Sequence, residues 1–168
     1  MKNITIRRLQ RKDCEIISQS FAKQGWNKPK EQYENYFEEQ EKGKRVVIIA
    51  EYCKKFAGYV TIKWDSIYPA FKERNIPEIK DLNVLIKYRK NRIGTMLINE
   101  AEKIVKCRSE LVGLRVGLTS DYGVAQALYI KRGYMPDKLG IHYKNRQLNY
   151  GEEIFVDDEL TLGFIKNL

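Results

Sequence analysis

The sequence predicts a mixed α/β (α+β) domain, built on a mostly antiparallel central sheet of about seven strands with helices on both faces. Stretches with the two-residue alternation of strands recur among stretches with the wider apolar spacing of amphipathic helices. At 168 residues, 43% hydrophobic and 32% charged, the chain has the size and balance of one domain with an adequate core. No internal repeat or low-complexity linker divides it, so residues 1–168 are read as a single unit.

The elements follow in order. Met1 to Arg8 alternates without an apolar signal-peptide core, and Ile4 to Arg8 is read as an opening strand. Leu9 to Phe21 places Cys14, Ile16, Ile17 and Phe21 at roughly helical spacing, with Asp13 near the start. Gly25-Trp26-Asn27-Lys28-Pro29 breaks that pattern. Pro29 suits the first turn of a second helix reaching about Glu41, with Tyr33, Tyr36 and Phe37 on one side and Gly43 at its end. Val46 to Glu51 and Phe56 to Ile62, around the polar turn Cys53 to Lys55, form an antiparallel hairpin. An aromatic insertion, Trp64 to Phe71, precedes a central strand from Glu78 to Ile86. After it come a basic turn, Tyr88 to Thr95, an amphipathic helix, Met96 to Val105, and a strand, Leu111 to Leu118. A tyrosine-bearing helix follows, and the closing strands are Ile141 to Asn145 and Glu153 to Ile165, around Asn149-Tyr150-Gly151.

Composition excludes some functions and leaves others open. No run of about eighteen apolar residues occurs, so no membrane span is expected. Cys14, Cys53 and Cys107 are odd in number, scattered and without metal-ligand spacing, which points to free thiols in a reducing cytoplasm and to no metal. The formal charge of +9 fits a nucleic-acid surface, or a phosphate-bearing ligand plus a solvated basic exterior. Its scatter among acidic residues, Lys87 to Arg92 apart, favours the second.

That basic run is the chemical signal. Arg89, Lys90 and Arg92 stand at a helix start, where the macrodipole disfavours positive charge but unpaired N–H groups offer an anion site. A bound anion reconciles the two. The turn Arg89-Lys90-Asn91-Arg92-Ile93-Gly94 and the later string of Ala125, Leu128, Tyr129, Gly133 and Tyr134 together resemble the GNAT superfamily of acetyl-CoA-dependent N-acetyltransferases. The order of elements over most of the chain is similar too. Arg92 departs from the pattern, standing where the family usually has its first glycine, and Tyr122 stands where it often has an asparagine.

The resemblance implies a site. The backbone of Leu82, Asn83 and Val84 would pair with the pantetheine arm of acetyl-CoA like an added strand. N–H groups from Lys90 to Thr95 (Lys90, Asn91, Arg92, Ile93, Gly94, Thr95) would cradle its pyrophosphate, with charge from Arg89 and Arg92 and with Lys131 near the adenosine-side phosphate. Tyr129 takes the place of the general acid for the leaving thiolate. Glu78, eleven positions before Arg89, takes that of the general base, with Asp81 the competing carboxylate. On a regular strand Glu78, Lys80, Leu82, Val84 and Ile86 share one face; the bulge usual in the family would break that parity. The acceptor, a small-molecule or peptide amine, would meet Trp26, Tyr33 and Tyr36, then Glu152, Glu153, Asp157, Asp158 and Glu159, although such an acidic string also makes an ordinary solvated turn. Trp64, Tyr68 and Phe71 either rim the cleft or cover the core, and His142 receives no role. With no Cys or Ser in a nucleophile motif beside a His, direct attack is expected rather than a covalent enzyme intermediate. The expected protein is a monomer or homodimer. A tRNA-directed, toxin-like acetyltransferase and a nucleic-acid-binding module on the same scaffold are the alternatives.

Overall fold

A computed structural model describes residues 3–168; Met1 and Lys2, which begin the alternating stretch, lie outside the described residues. The elements are β1 (Ile4–Arg8), α1 (Asp13–Ala22), α2 (Lys30–Glu41), β2 (Arg45–Tyr52), β3 (Lys55–Lys63), α3 (Pro69–Glu73), β4 (Glu78–Val84), α4 (Ile93–Lys106), β5 (Leu111–Gly117), α5 (Gly123–Lys131), β6 (Met135–Tyr143), β7 (Arg146–Gln147) and β8 (Leu160–Asn167). The strands form one sheet in the order β1-β2-β3-β4-β5-β8-β6-β7. Every pairing is antiparallel except β4 with β5.

The sheet has eight strands rather than about seven, and the differences lie at its C-terminal edge. Residues 153–159, expected to begin a closing strand, are a loop, and the strand starts at Leu160. β6 begins at Met135 instead of Ile141. Its register shifts between Pro136 and Ile141, where Lys138 and Gly140 have φ of 70° and 71°, so it shows no alternation in the sequence.

One face carries α4, whose Ile93, Leu97, Ile98, Ala101 and Val105 recur at helical spacing and are buried against sheet residues including Ile48, Val60, Ile62 and Leu114. Full burial of each such aliphatic side chain is worth about 1.5–3 kcal/mol. On the other face, α1 and α2 cover β2 and β3 through Ile17, Phe21, Tyr33, Val47, Ile49 and Tyr59. A third cluster around Tyr68, Phe71 and Ile76 packs Leu111 and Ile165.

The central strand carries the bulge. Tyr59 faces Asn83 and Thr61 faces Lys80, so Asp81 and Leu82 together oppose Val60 alone. Asp81 has φ 57°. The parity of a regular strand is lost there. Ile79, Leu82 and Val84 pack on the α4 side, whereas Glu78 bonds to residues near α3 and Asn83 reaches Tyr59. Glu78 therefore does not share a face with Leu82 and Val84, and Ile86 lies past the strand's end at Val84.

Candidate active site

β4 and β5 pair only through Glu78 with Gly113 and Ile79 with Leu114. Beyond them the strands splay, so among the described residues the β5-facing edge of residues 80–84 has no strand beside it, although β3 still holds the other edge and Arg89 Nε donates to the Val84 carbonyl at 3.4 Å. Such an edge is a template for an extended ligand. Gly58 lets β3 close onto β4 here, since a Cβ would meet the Asn83 carbonyl oxygen at 2.5 Å.

The slot leads to the turn before α4. A Cβ on Gly94 would lie 3.9 Å from Val84 Cγ2 and 4.0 Å from Leu82 Cδ2, so the turn stands directly beside the open edge. Lys90 and Arg92 have φ of 61° and 62°. Arg92 thus adopts the conformation ordinarily given to glycine, at a cost of about 1–2 kcal/mol. It is the N-cap of α4, yet no side chain caps the helix and no acidic residue lies in its first turn. The first helical bond is Met96 N–H to the Arg92 carbonyl, and among the described residues the N–H groups of Arg92, Ile93, Gly94 and Thr95 have no protein acceptor. Asn91 Nδ2 braces the turn by donating to the carbonyls of Tyr88 and Arg89, both at 3.1 Å. The Arg89 guanidinium lies 5.6 Å from the Trp26 ring, and Lys131 is exposed at the end of α5. Open donors, basic side chains and no competing carboxylate suit a phosphate.

Tyr129 is 7% exposed, within the core cluster that also takes in Leu82 and Val84. Its hydroxyl makes no hydrogen bond among the described residues, yet it is not one of the fully sealed polar atoms. Desolvation pushes its pKa up to about 12. It is a phenol held neutral and left with a free donor.

The two carboxylates of β4 differ. Glu78 is 1% exposed, with Oε1 accepting from Arg115 Nε at 2.9 Å and Oε2 from Ser66 Oγ at 2.6 Å. Arg115 continues to Asn145 Oδ1 at 2.6 Å and lies 5.0 Å from the Tyr68 ring. Asp81, about one-fifth exposed, stands in the bulge. Its Oδ2 accepts from Tyr59 at 2.6 Å, Tyr36 at 3.1 Å and Gln32 at 3.3 Å; its Oδ1 accepts from Asn83 at 2.7 Å and lies 3.5 Å from Lys28 Nζ. Burial, then the Asp81 charge, holds the Tyr59 and Tyr36 hydroxyls above the ordinary tyrosine pKa.

Of the expected acceptor residues, Tyr36 reaches Asp81, Tyr33 is buried with its hydroxyl 3.5 Å from that of Tyr59, and Trp26 stacks on Phe21. Three residues of the acidic string hold the C-terminal loop to neighbouring elements: Glu152 pairs with Arg146, Asp157 accepts from Tyr143 and Asp158 from Tyr122. Tyr68 and Phe71 are core, fully buried, and Trp64 packs under Arg108. His142 is buried beside Tyr68 and Gly140. Among the described residues no cluster could hold a metal, and no helix is long and apolar enough to cross a membrane.

Lys28, Gln32, Tyr59, Ser66 and Arg115 were not legible as site residues. Asp81 carried one signal, since an aspartate inside a strand is disfavoured and marks an irregularity.

The family model described as acetyltransferase (GNAT) family matches residues 6–134. No curated protein matches in sequence. Among solved structures, an N-acetyltransferase from Staphylococcus aureus Mu50 superposes with a TM-score of 0.72 at 14% identity, covering 98% of both chains. A GNAT-family acetyltransferase from Streptococcus pneumoniae gives 0.70 at 18% identity over 99% of this chain and 100% of its own. The PaiA N-acetyltransferase of Thermoplasma acidophilum, in complex with coenzyme A, gives 0.66 at 19% identity over 99% of both chains. At these identities the superpositions speak to the fold.

Proposed function

This chain belongs to the GNAT family of acetyltransferases, and from that premise we propose that it moves an acetyl group from acetyl-CoA to a primary amine by direct attack. The observation that carries the reading is the open β4 edge running up to the uncapped start of α4. A pantetheine arm pairs along Asn83 and Val84 as an extra strand, and the pyrophosphate takes the N–H groups of Arg92 to Thr95. With the phosphates fixed there, the arm runs back along β4 and the thioester arrives at the bulge.

The chemistry then falls to Asp81 and Tyr129. An alkyl amine with a pKa near ~10 is mostly ammonium at neutral pH and must lose a proton before attack. Both carboxylates have donors on both oxygens, but Asp81 stands at the bulge about one-fifth exposed, whereas Glu78 is sealed at 1% exposure between Arg115 and Ser66. Asp81 is therefore the base, where the resemblance implied Glu78, and Glu78 takes a positioning role. Tyr129 donates to the departing thiolate, its phenol being protonated throughout the neutral range. Among the described residues His142 has hydrogen-bonding partners in Tyr68 and Gly140 and none in a Cys or Ser, which supports attack without a covalent intermediate.

Two measurements test this. Acetyl-CoA at about a hundredfold over its Kd should stabilise the fold by about 2.7 kcal/mol. A panel of amines, aminoglycosides, polyamines and peptides, read by free-thiol release, should yield at least one acceptor. No thermal shift with saturating acetyl-CoA or CoA would overturn the reading.

A further inference from the structure

A primary amine already stands at the proposed acceptor position. Lys28 lies in the connection between α1 and α2, and its Nζ is 3.5 Å from Asp81 Oδ1 and 5.7 Å from the centre of the Phe21 ring. Its backbone is pinned, because Ser18 Oγ donates to the Lys28 carbonyl at 2.8 Å and Pro29 fixes the next φ. Its side chain is about one-fifth exposed, so it lies along the protein rather than in solvent. Of the lysines in ion pairs among the described residues, Lys30, Lys42, Lys63 and Lys166 pair with glutamates elsewhere, and Lys28 alone pairs with the bulge carboxylate.

The remaining contacts of Asp81 explain why that oxygen receives an amine. Tyr59, Tyr36 and Gln32 crowd Oδ2, and Asn83 takes one lone pair of Oδ1, leaving the outer side of Oδ1 for a cation. An alkylammonium held between a carboxylate and an aromatic face is favoured by charge and by the ring quadrupole. Lys28 thus occupies the place an external acceptor amine would take.

We infer that Lys28 is itself an acceptor, and that with acetyl-CoA bound and no external amine the protein acetylates Lys28 Nζ within the same chain. The inference rests on the acetyl-transfer reading above. The Lys28 ammonium gives one proton to Asp81, and its lone pair forms the N–C bond at the thioester carbonyl carbon. The C–S bond then breaks and the thiolate takes a proton from Tyr129. The new amide nitrogen sheds its second proton, which restores the Tyr129 phenol through water. Lysine ammonium and acetyl-CoA become acetyl-lysine, CoA thiol and one released proton, with nothing oxidised or reduced. The product has no charge at Lys28, so Asp81 loses its cation and the acceptor position loses its resident competitor.

The test incubates the purified full chain with acetyl-CoA alone, followed by intact mass and peptide mapping. The expected result is one acetyl group per chain at Lys28, acquired at a rate independent of protein concentration and well ahead of exposed lysines such as Lys54 and Lys138. Lys28→Arg, which keeps the charge, should remain unmodified, and Asp81→Asn should slow the labelling by about a hundredfold. Labelling of Lys28 no faster than the exposed lysines, or no faster than in urea-unfolded protein, would overturn the inference. So would a rate that grows with protein concentration, since the transfer would then run between chains. If acetyl-CoA stabilises the protein and added amines release thiol but Lys28 stays unmodified, only this inference falls. If acetyl-CoA produces no thermal shift, the function falls with it.

Discussion

The start of β4 and the start of α4 lie close along one strand, turn and helix, but the fold treats their polar groups in opposite ways. At the strand's start every demand is met: both oxygens of Glu78 have donors, Arg115 is shared between Glu78 and Asn145, and Ser66 also accepts from the Tyr68 N–H at 3.1 Å. At the helix start little is met among the described residues: four N–H groups are open, no side chain caps them, and two non-glycine residues hold positive φ. Unmet donors and strain persist only where something else supports them, and a ligand is the plain candidate. Asp81 lies between these extremes, well supplied with donors yet reachable. Carboxylates three positions apart therefore have different prospects, one as a strut and one as a reagent.

The sharpest way to break that contrast is to remove Arg115. Arg115→Ala leaves Glu78 buried and uncompensated, and stability should fall by about 3–5 kcal/mol in urea denaturation. Glu78→Gln should also destabilise, while the folded protein keeps a wild-type dependence of rate on pH. A changed pH profile in Glu78→Gln at unchanged stability would reverse the two roles. Asp81→Asn should behave in the opposite manner, lowering kcat by about a hundredfold while costing only about 1–2 kcal/mol of stability through mismatched hydrogen bonds.

This division was only half legible in the sequence. The first strands, the amphipathic helices, the basic turn and the tyrosine helix are local patterns and stand close to where local spacing put them, whereas the closing strands, bent by positive-φ residues and a long loop, do not. The pairing of Glu78 with Arg115 depends on β4 lying parallel to β5, a contact between residues far apart in the chain that no spacing encodes. The bulge decides which face Asp81 meets, and it reverses the parity of everything after it. The acidic residues near the C-terminal end could be read as an acceptor surface or as a solvated turn, and three of them instead bind protein partners, one of which, Tyr122 against Asp158, lies too far away in the chain for spacing to reveal. Arg92 is the instructive departure. It stands where the resembled family usually has a glycine, and its backbone takes the left-handed conformation that glycine would take.

Tyr129 extends the contrast into the core. Tyr129→Phe removes one unpaired hydroxyl, so it should lower kcat by about a hundredfold and leave acetyl-CoA affinity nearly unchanged. The same phenol makes a prediction about pH. Its folded pKa, about 12, is above the ordinary tyrosine value, so the folded state holds the proton more tightly than the unfolded state. The stability this gives is complete below about pH 10 and is lost as pH rises through the folded value. The alkaline fall in melting temperature should therefore be shallower in Tyr129→Phe than in the parent. An activity loss near pH 8 that this substitution abolishes would mean a phenol more acidic than its burial allows.

Arg92 offers the smallest effect and the most discriminating one, because its two consequences have opposite signs. Replacing it with glycine removes about 1–2 kcal/mol of left-handed strain and a positive charge at the positive end of a helix. Glycine's greater freedom in the unfolded chain offsets part of that gain, so Arg92→Gly should stabilise the free protein by roughly 1 kcal/mol. The same change deletes a charge-assisted partner for the pyrophosphate, so acetyl-CoA should bind several-fold more weakly, and the deficit should shrink as salt screens the exposed guanidinium. Arg92→Ala separates the causes, since it removes the charge but keeps a Cβ in the left-handed region: affinity should drop as in the glycine variant with little of the gain in stability. If Arg92→Gly instead destabilises the free protein, the arginine is holding the turn together through contacts of its own. The open helix start would then be a braced structure, and the contrast with Glu78 would lose its clearest case.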